Sequence, residues 1–463
     1  MKSKPIIMIA FLMAILPVMS YGQWSTEFVD TTGKVGNLNS IAVDADGYSH
    51  ISYFDRTNWD LKYAHWDGSA WQVEVADSTG YYGATSIVLD TLGNPHISCK
   101  LEFPEYYHCI AHIWWDGTDW QRDVIETGTE MFQDIGDYTA IALDASDYPH
   151  VAYTHYPSSD FGYLKYGYKD ASGWHTVMID SIGCVDGVKY CDIALDNQNY
   201  PHISYYDYDV YDLKYAYWDG ATWHIESVDT AGHVGKSSSI ALDSLGYPHI
   251  AYTDGTNYGV KYARWDGSAW QIETVESDIG YGFYTSLALD ANDHPHISSA
   301  EYASDLRFAY WDGSVWQIEV VDDAVGCGWT SLAIDGDGYS HIAYYDDVYE
   351  VYDLRYARRA PTGVEETRPI PAALHLAQNY PNPFNSVTSI QYTLPRDSFV
   401  RLSIYNISGQ LVRTLVNRPQ KPGNYTVSWD GRNNNGEELS SGIYLYRLDM
   451  GEFKDTKKMI LLR

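Results

Sequence analysis

The sequence is poor in basic residues and in long apolar runs. Its 463 residues contain 30 Lys and Arg against 62 Asp and Glu, which gives a formal net charge of −32 at pH 7. A chain this acidic repels phosphate backbones, so nucleic-acid binding by counterion release is disfavoured. Beyond residue 18 no run approaches the length of apolar sequence that a transmembrane helix needs. The sequence therefore predicts neither a nucleic-acid partner nor a transmembrane span.

The one extended apolar stretch lies at the N-terminus. Lys2 and Lys4 precede an apolar run over residues 6–18, and small residues follow at Ser20 and Gly22. A basic segment, a short apolar segment and small residues at a cleavage point are typical of a secretory signal peptide. We therefore expect residues 1–22 to be a signal peptide and the mature chain to be exported.

Cysteine is scarce and odd in number. The five residues are Cys99, Cys109, Cys184, Cys191 and Cys327. In an oxidising compartment Cys99 can pair with Cys109, and Cys184 with Cys191, across a hairpin or loop, which leaves Cys327 over. The alternative is that all five are small buried apolar side chains. The sequence leaves the pairing open.

Catalytic signatures are also absent. The sequence contains no nucleophile elbow, no His-Glu-x-x-His zinc motif and no phosphate-binding loop. Residues 44–47 and 335–338 resemble the start of a calcium loop, but the equivalent turns lack the second carboxylate. We therefore predict no catalytic residue, no metal ion and no cofactor. Two carboxylates acting as a glycosidase pair stay open, because acidic residues are so numerous.

A repeat fills the middle of the chain. Each unit has four short segments rich in β-branched and aromatic residues and bounded by Gly, Asp, Asn or Pro, which is typical of strands joined by turns. Four strands in about 45 residues is the size of one propeller blade. An aspartate ends the first segment of each unit and a histidine follows it by six residues, at Asp44/His50, Asp90/His96, Asp144/His150, Asp196/His202, Asp243/His249, Asp290/His296 and Asp335/His341. The sequence predicts a seven-bladed β-propeller over residues 23–359.

The fourth segment predicts how the ring closes. It carries a Trp-x-x-Glu/Asp-x-x-Asp/Glu spacing in most units, but the seventh unit lacks it after Arg359. The same spacing occurs in Trp24, Glu27 and Asp30, directly behind the predicted signal peptide. We expect this N-terminal strand to complete the last blade, which removes an open sheet edge.

Two further repeated features are assigned to the fold. A histidine present in every blade is expected to hold that blade together by contacting its aspartate across a hairpin. The Trp-Asp-Gly turns are similar to the Asp-box of sialidase-like propellers, although here the glycine follows the aspartate directly. A sialidase also needs three convergent arginines for a substrate carboxylate, and no convincing triad is present.

Ligand binding is predicted on the face with variable connections. Connections between second and third strands, and between blades, share one face of a propeller and vary here in length and content. Aromatic rings can stack on pyranose rings while carboxylates accept hydroxyl hydrogen bonds. The alternative is a solvated acidic surface. The candidate ligand-binding residues are Asp55, Trp59, Asp207, Tyr208, Asp209, Asp254, Glu301, Asp346 and Asp347.

The C-terminal region has a different composition. Residues 360–375 contain three prolines and predict a linker, and residues 376–463 hold 11 basic and 7 acidic side chains in short alternating strands that predict an immunoglobulin-like sandwich. The segments at 376–385, 404–410, 429–432, 441–444 and 457–460 resemble the type A sorting domain of type IX secretion cargo. The resemblance implies export by the type IX machinery across a Bacteroidetes-type outer membrane, to the cell surface or beyond.

The sequence thus favours an all-β, exported binding protein: a seven-bladed propeller followed by a small β-sandwich. Its predicted partner is an extracellular glycan or protein, besides the secretion machinery. Two other functions stay open. One is a secreted carbohydrate-active hydrolase or lyase, and the other is a structural or adhesion module of the cell surface.

Overall fold

The computed structural model describes residues 24–78, 80–102, 108–128, 134–158, 161–183, 190–277, 283–301, 304–348, 351–361, 375–379, 382–385, 388–394, 398–420, 423–434, 438–450 and 453–463. Regular structure within these ranges is entirely β-strand, which confirms the predicted all-β class. None of these ranges holds a helix with the length and apolar character needed to cross a membrane. The predicted signal peptide, Cys184 and most of the predicted linker lie outside the described residues.

The first strand of the described residues is β1 (Ser25–Asp30). It is followed by three four-stranded antiparallel sheets, numbered here as blades 1 to 3. Blade 1 contains β2 (Val35–Val43), β3 (Ser49–Asp55), β4 (Asp60–Trp66) and β5 (Trp71–Asp77). Blade 2 contains β6 (Tyr81–Leu89), β7 (Pro95–Glu102), β8 (His108–Trp115) and β9 (Trp120–Thr127). Blade 3 contains β10 (Asp134–Leu143), β11 (Pro149–Tyr156), β12 (Phe161–Asp170) and β13 (Gly173–Gly183).

Blades 4 to 7 continue the same order. Blade 4 contains β14 (Cys191–Leu195), β15 (Pro201–Asp207), β16 (Asp212–Trp218) and β17 (Trp223–Asp229). Blade 5 contains β18 (Val234–Leu242), β19 (Pro248–Asp254), β20 (Gly259–Trp265) and β21 (Trp270–Glu276). Blades 6 and 7 are formed by β22 (Phe283–Leu289), β23 (Pro295–Glu301), β24 (Ser304–Trp311), β25 (Trp316–Ile334), β26 (Ser340–Val348) and β27 (Val351–Arg359).

The blades form a closed ring. The first strands of successive blades contact one another in the order β2, β6, β10, β14, β18, β22, β25, and β25 contacts β2 again. The long strand β25 belongs to two blades, because its first part pairs with β24 and its second part with β26. β1 pairs antiparallel with β27, with Ser25 opposite Arg358. Blade 7 therefore takes its outer strand from the N-terminal side of the described chain.

Apolar packing between blades explains the sequence pattern. Second strands such as β3, β15 and β19 are buried along their whole length, because a neighbouring blade covers each face of the sheet. Among the described residues, seven apolar clusters occur in the propeller, and each joins two adjacent blades. The cluster between blades 7 and 1, for example, brings Leu354 against Val35 and Ile51.

Polar bonds also join adjacent blades, in what we term the seams. At five seams of the described residues, the tryptophan that opens an outer strand donates its indole N–H to an acidic residue of the preceding outer strand, as Trp71 does to Glu27 at 3.1 Å and Trp316 to Glu273 at 3.1 Å. At the ring closure, Trp24 donates to Glu319 at 2.9 Å, and buried Arg359 binds the same carboxylate with two nitrogens. These bonds account for the first acid of the Trp-x-x-Glu-x-x-Asp spacing.

The second acid of this spacing has its own seam partners. Asp229, at the end of β17, accepts a hydrogen bond from Tyr252 Oη at 2.7 Å and forms an ion pair with Lys261. Tyr252 and Lys261 belong to blade 5. Equivalent contacts among the described residues link Tyr53 and Lys62 to Asp30, Tyr153 and Lys165 to Glu126, Tyr205 and Lys214 to Asp180, and Tyr344 and Arg355 to Asp322. The repeated spacing therefore encodes contacts between blades.

The two ends of the propeller differ in construction. The loop face is defined here as the end with the connections between second and third strands and between blades. These connections bond to each other: the Arg56 amide donates to the Lys34 carbonyl at 2.8 Å, and the Gly255 amide to the His233 carbonyl at 2.7 Å. The turn face is the opposite end, with tight turns between first and second, and third and fourth, strands.

The C-terminal region is a small β-sandwich. One sheet contains β28 (His375–Leu376), β29 (Thr388–Leu394) and β32 (Gly423–Trp429). The other contains β30 (Ser398–Asn406), β31 (Leu411–Gln420), β33 (Gly442–Met450) and β34 (Phe453–Leu461), in the order β31-β30-β33-β34. Trp429, Tyr446 and Leu402 are buried in one core between the sheets.

Candidate functional site

The aspartates of the Trp-Asp-Gly turns on the turn face are bonded within their own turns. Asp266 accepts hydrogen bonds from the amides of Ser268 at 2.8 Å and Ala269 at 2.9 Å, and from the side chains of Ser268 and Gln271. These hydrogen bonds lower the pKa of Asp266 to about 2. The same pattern recurs at Asp67, Asp116 and Asp312. These aspartates stabilise turns, because their oxygens already accept hydrogen bonds from the turn itself.

The seven repeated histidines are structural, as predicted. Each lies within 3.0 to 3.9 Å of its blade's aspartate. In five blades Nδ1 also bonds a tyrosine hydroxyl, for example Tyr262 with His249 at 2.5 Å and Tyr356 with His341 at 2.7 Å. Burial lowers the pKa of all seven, to about 4 for His296. Within the described ranges no group of three or more His, Cys, Asp or Glu can hold a metal ion.

The cysteines of the described residues are free and buried. These are Cys99, Cys109, Cys191 and Cys327, so the suggested Cys99–Cys109 disulfide is not formed. Leu101 pairs with Cys109 while Cys99 pairs with Ala111, which leaves the two cysteines diagonal across the hairpin. Diagonal residues are too far apart for a relaxed disulfide. Burial raises the pKa of Cys109 to about 12, so its thiol is unreactive.

Two of the candidate carboxylates hold loop-face turns. Asp55 and Asp254 are 1% and 4% exposed. Asp55 accepts from the Thr57 amide at 2.8 Å and from the Asn58 side chain at 2.9 Å. Asp254 makes the matching bonds with residues 256 and 257 at 3.0 and 2.9 Å. Both shape the turn that ends the second strand rather than presenting a free carboxylate.

Two other candidates form buried ion pairs. Asp207 lies 2.6 Å from Lys214 and accepts a hydrogen bond from the Asp209 amide at 3.0 Å. Asp346 lies 3.3 Å from Arg355. Both carboxylates are at most 5% exposed. Their direct role is therefore to fix strand ends and basic side chains beneath the loop face.

The remaining candidates divide between surface and interior. Trp59 is 49% exposed and Asp209 is exposed, so both can contact a ligand. Tyr208 is buried against Tyr206, with ring centroids 4.6 Å apart. The side chains of the last two candidates, Glu301 and Asp347, lie outside the described set.

An aromatic cluster that sequence reasoning missed lies at the axis of the ring, toward the loop face. We term it the axial cluster; it consists of Tyr138, Tyr190, Tyr284 and Trp329. The ring centroids of Tyr284 and Trp329 are 4.0 Å apart, and those of Tyr138 and Tyr190 are 4.4 Å apart. Contacts of 6.2 and 6.4 Å complete a closed loop of four rings. Each of the four residues is partly exposed, so the cluster offers an aromatic floor at the axis.

The signal for this cluster was present in the repeat. All four residues stand six positions before the aspartate that ends the first strand. That position reads Leu38, Ala84, Tyr138, Tyr190, Ser237, Tyr284 and Trp329 through the seven blades. The flanking aspartates and histidines never change, whereas this position changes in almost every blade. The repeat therefore requires no particular residue type at this position, and in four blades it carries an aromatic ring at the axis.

One carboxyl group on the loop-face side of blade 7 has a strongly altered acidity. Burial, and then the neighbouring carboxylates of Asp346 and Asp30, raise the pKa of Asp353 to about 7. Asp353 stands opposite Asp346 in the β26–β27 pairing. A carboxyl that is partly protonated at neutral pH can donate a proton, which is a property of general acids.

Comparison with known proteins identifies the C-terminal domain. The family model of the FlgD Ig-like domain matches residues 384–450, so this part of the chain is an immunoglobulin-like domain. No curated protein sequence matches the chain.

Several solved structures are similar to the chain at low identity. PorZ, a bacterial surface component of the type IX secretion system of Porphyromonas gingivalis, is 11% identical, with 89% of this chain and 68% of that chain covered and a TM-score of 0.35. The Aleuria aurantia lectin in complex with Fucα1-6GlcNAc is 14% identical, with coverages of 66% and 100% and a TM-score of 0.45. The polysaccharide lyase Uly1 is 10% identical, with coverages of 72% and 90% and a TM-score of 0.46.

Proposed function

We propose that this protein binds extracellular glycan, without catalysis, through the loop face of its propeller. The axial cluster is the observation that carries the proposal. Four partly exposed aromatic residues at the axis, with interplanar angles of 33 to 76° between neighbouring rings, give an apolar surface on which the CH face of a pyranose can pack. The exposed ring of Trp59 and the carboxylate of Asp209 add contacts on the rim of the same face.

The distribution of polar groups supports a binding surface rather than a reaction centre. The aspartates of the Trp-Asp-Gly turns are bonded within those turns, and the carboxylates of Asp55, Asp207, Asp254 and Asp346 lie beneath the loop face. A sugar that docks on the axial cluster therefore meets aromatic rings first, and Asp137, the carboxylate next to Tyr138, is paired with Lys100. This arrangement favours recognition of ring shape over attack on a glycosidic bond.

The proposal is tested with a glycan array and a panel of soluble polysaccharides, using the full mature chain. We expect binding without release of reducing ends. Trp329→Ala removes one ring of the axial cluster and should weaken binding roughly tenfold, at the upper end of the value of an aromatic contact. Leu92→Ala, at an exposed position on the turn face, is the matched control and should leave binding unchanged. Retention of wild-type affinity by Trp329→Ala, or binding of protein ligands alone, would contradict the proposal.

A secreted hydrolase or lyase is the second candidate, and one observation favours it. The pKa of Asp353, raised to about 7 by burial and by Asp346, is suited to a general acid. Both carboxyls are nearly buried, however, so a substrate would have to reach below the surface of the loop face. Reducing-end release that disappears in Asp353→Asn would establish this activity in place of simple binding.

We further propose that residues 376–463 direct export through the type IX secretion system to the cell surface or the medium. The immunoglobulin-like domain and the motifs at its ends support this, together with the predicted signal peptide. Deletion of residues 376–463 should leave the propeller in the periplasm of a type IX-competent host. Surface display or release of the truncated chain at the level of the full chain would rule this route out.

A further inference from the structure

Two of the seven blade junctions are near copies of each other. Junction 7/1 consists of Gly33, Lys34, Thr57, Trp59 and Tyr352, from blades 7 and 1 and the segment between them. Junction 4/5 consists of Gly232, His233, Thr256, Tyr258 and Tyr211, from blades 4 and 5. Each contains a connecting segment with a left-handed glycine, a turn after the second strand, and one aromatic residue from each blade.

The hydrogen bonds of the two junctions correspond one to one. The amide of Lys34 donates to Thr57 Oγ1 at 2.7 Å, and the amide of His233 donates to Thr256 Oγ1 at 2.8 Å. Gly33 and Gly232 have φ angles of 97° and 107° and lie against these threonines, where a Cβ would collide with the hydroxyl. The same backbone frame is therefore built twice in the ring.

Both junctions place a nitrogen donor over a ring of the preceding blade. Lys34 Nζ lies 4.6 Å from the centroid of the Tyr352 ring, and the imidazole of His233 is stacked on the Tyr211 ring at 4.3 Å. Lys34 and His233 are exposed, in a chain with a large excess of acidic residues. What the two junctions share is thus an exposed N–H donor above an aromatic ring.

Three of the four aromatic residues in the two junctions have a strained backbone. Trp59 and Tyr258 have φ angles of 63° and 52°, and Tyr211 has 64°. L-residues other than glycine are disfavoured in this left-handed region, and aromatic residues are rarely found there. Strain kept at equivalent positions of separate blades indicates a use for the side chain.

We propose that junctions 7/1 and 4/5 are two equivalent sugar subsites, and that one extended linear polysaccharide crosses the loop face from one junction to the other over the axial cluster. The inference rests on the glycan binding proposed above and specifies its ligand as a chain of pyranose units. Four blades separate the junctions in one direction and three in the other, so they lie on nearly opposite sides of the axis. In each subsite a ring packs on a pyranose face while Lys34 or His233 donates to a hydroxyl or carboxylate oxygen.

The test measures how affinity depends on ligand length. Cello-oligosaccharides, chito-oligosaccharides and oligouronates, from disaccharides to polymers, are titrated calorimetrically against the full mature chain. We expect affinity to rise steeply with length, because one chain engages several subsites. Trp59→Asn and Tyr258→Asn each should weaken the longest ligand roughly tenfold and their combination roughly a hundredfold. Disaccharide affinity should change less than about twofold in the single variants, since the other subsite and the axial cluster remain.

The control variants separate this inference from the general function. Asparagine tolerates positive φ, so the turns are preserved, and Lys34→Ala provides a second variant that keeps both rings. Phe161→Asn removes an aromatic ring that is 42% exposed, at the start of a third strand outside both junctions, and should change nothing. If Trp329→Ala weakens binding while the junction variants match Phe161→Asn at all lengths, the two-junction inference is wrong and glycan binding stands. If no ligand of any length binds, both proposals fail.

Discussion

The seams between blades and the loop face of the propeller contain similar residue types that have different roles. In the seams, buried Asp229 accepts a hydrogen bond from buried Tyr252 and pairs with the Lys261 side chain, which is 11% exposed, and equivalent residues meet at most seams. On the loop face, Trp59 and the residues of the axial cluster are partly exposed. The residue type at each of these repeat positions differs between blades. Residues that repeat therefore stabilise the ring, while residues that vary at a regular position are available for binding.

The largest effect is expected when a whole seam between blades is removed. Deletion of residues 23–30 takes away β1, the Trp24–Glu319 bond and the partner of Lys62 and Tyr53. Blade 7 then ends at β27, and the seam to blade 1 opens. We expect the cooperative unfolding transition of the propeller to be lost in calorimetry. A transition at the wild-type temperature would show that the ring does not depend on β1.

Acid should weaken all blades together through the buried histidines. Burial depresses the pKa of each repeated histidine below 6.5 in the folded chain, to about 4 for His296. The unfolded chain binds these protons first, so stability is complete above pH 6.5 and falls as the pH decreases toward 4. His296 alone should cost about 3 kcal/mol at the end of this range. Urea unfolding between pH 7 and 4 measures it, and His296→Gln should flatten the profile.

A single seam pair should matter less, and differently at different junctions. Asp229→Ala leaves Lys261 and Tyr252 buried without their acceptor, which we expect to cost about 3–5 kcal/mol. Between blades 1 and 2, Cys99 and Ala111 replace the tyrosine and lysine, and Asp77 pairs instead with the half-exposed Arg122 at 3.1 Å.

Asp77→Ala is therefore the matched control for Asp229→Ala, and it should cost about 1 kcal/mol or less. Equal costs for the two substitutions, measured by urea unfolding at pH 7, would mean that burial of the seam pair contributes nothing. A cost at Asp77 above that at Asp229 would reverse the ranking of the seams.

The same contrast explains what could be predicted from the sequence. Blade number and strand positions follow from a repeat in which His50 and its equivalents never shift, because a periodic pattern reports contacts made in every blade. The candidate site depended on side-chain direction, which the repeat does not encode. Asp55 and Asp254 were chosen for their charge, yet both turn back into their own loops. Tyr190 and Trp329 were overlooked because aromatic residues within or directly before a first strand are typical of the core.

The smallest effect is expected where the loop face alone is altered. Tyr258→Asn removes a partly exposed ring but keeps a residue that accepts φ near 52°. Relief of backbone strain then offsets much of the lost ring contact, so the free energy of unfolding should stay within about 1 kcal/mol of wild type. Urea unfolding at pH 7 measures this change beside that of Asp229→Ala. A loss at Tyr258 as large as the loss at Asp229 would place this ring among the structural residues of the seams, because a ring retained for binding has little reason to carry the stability of the fold.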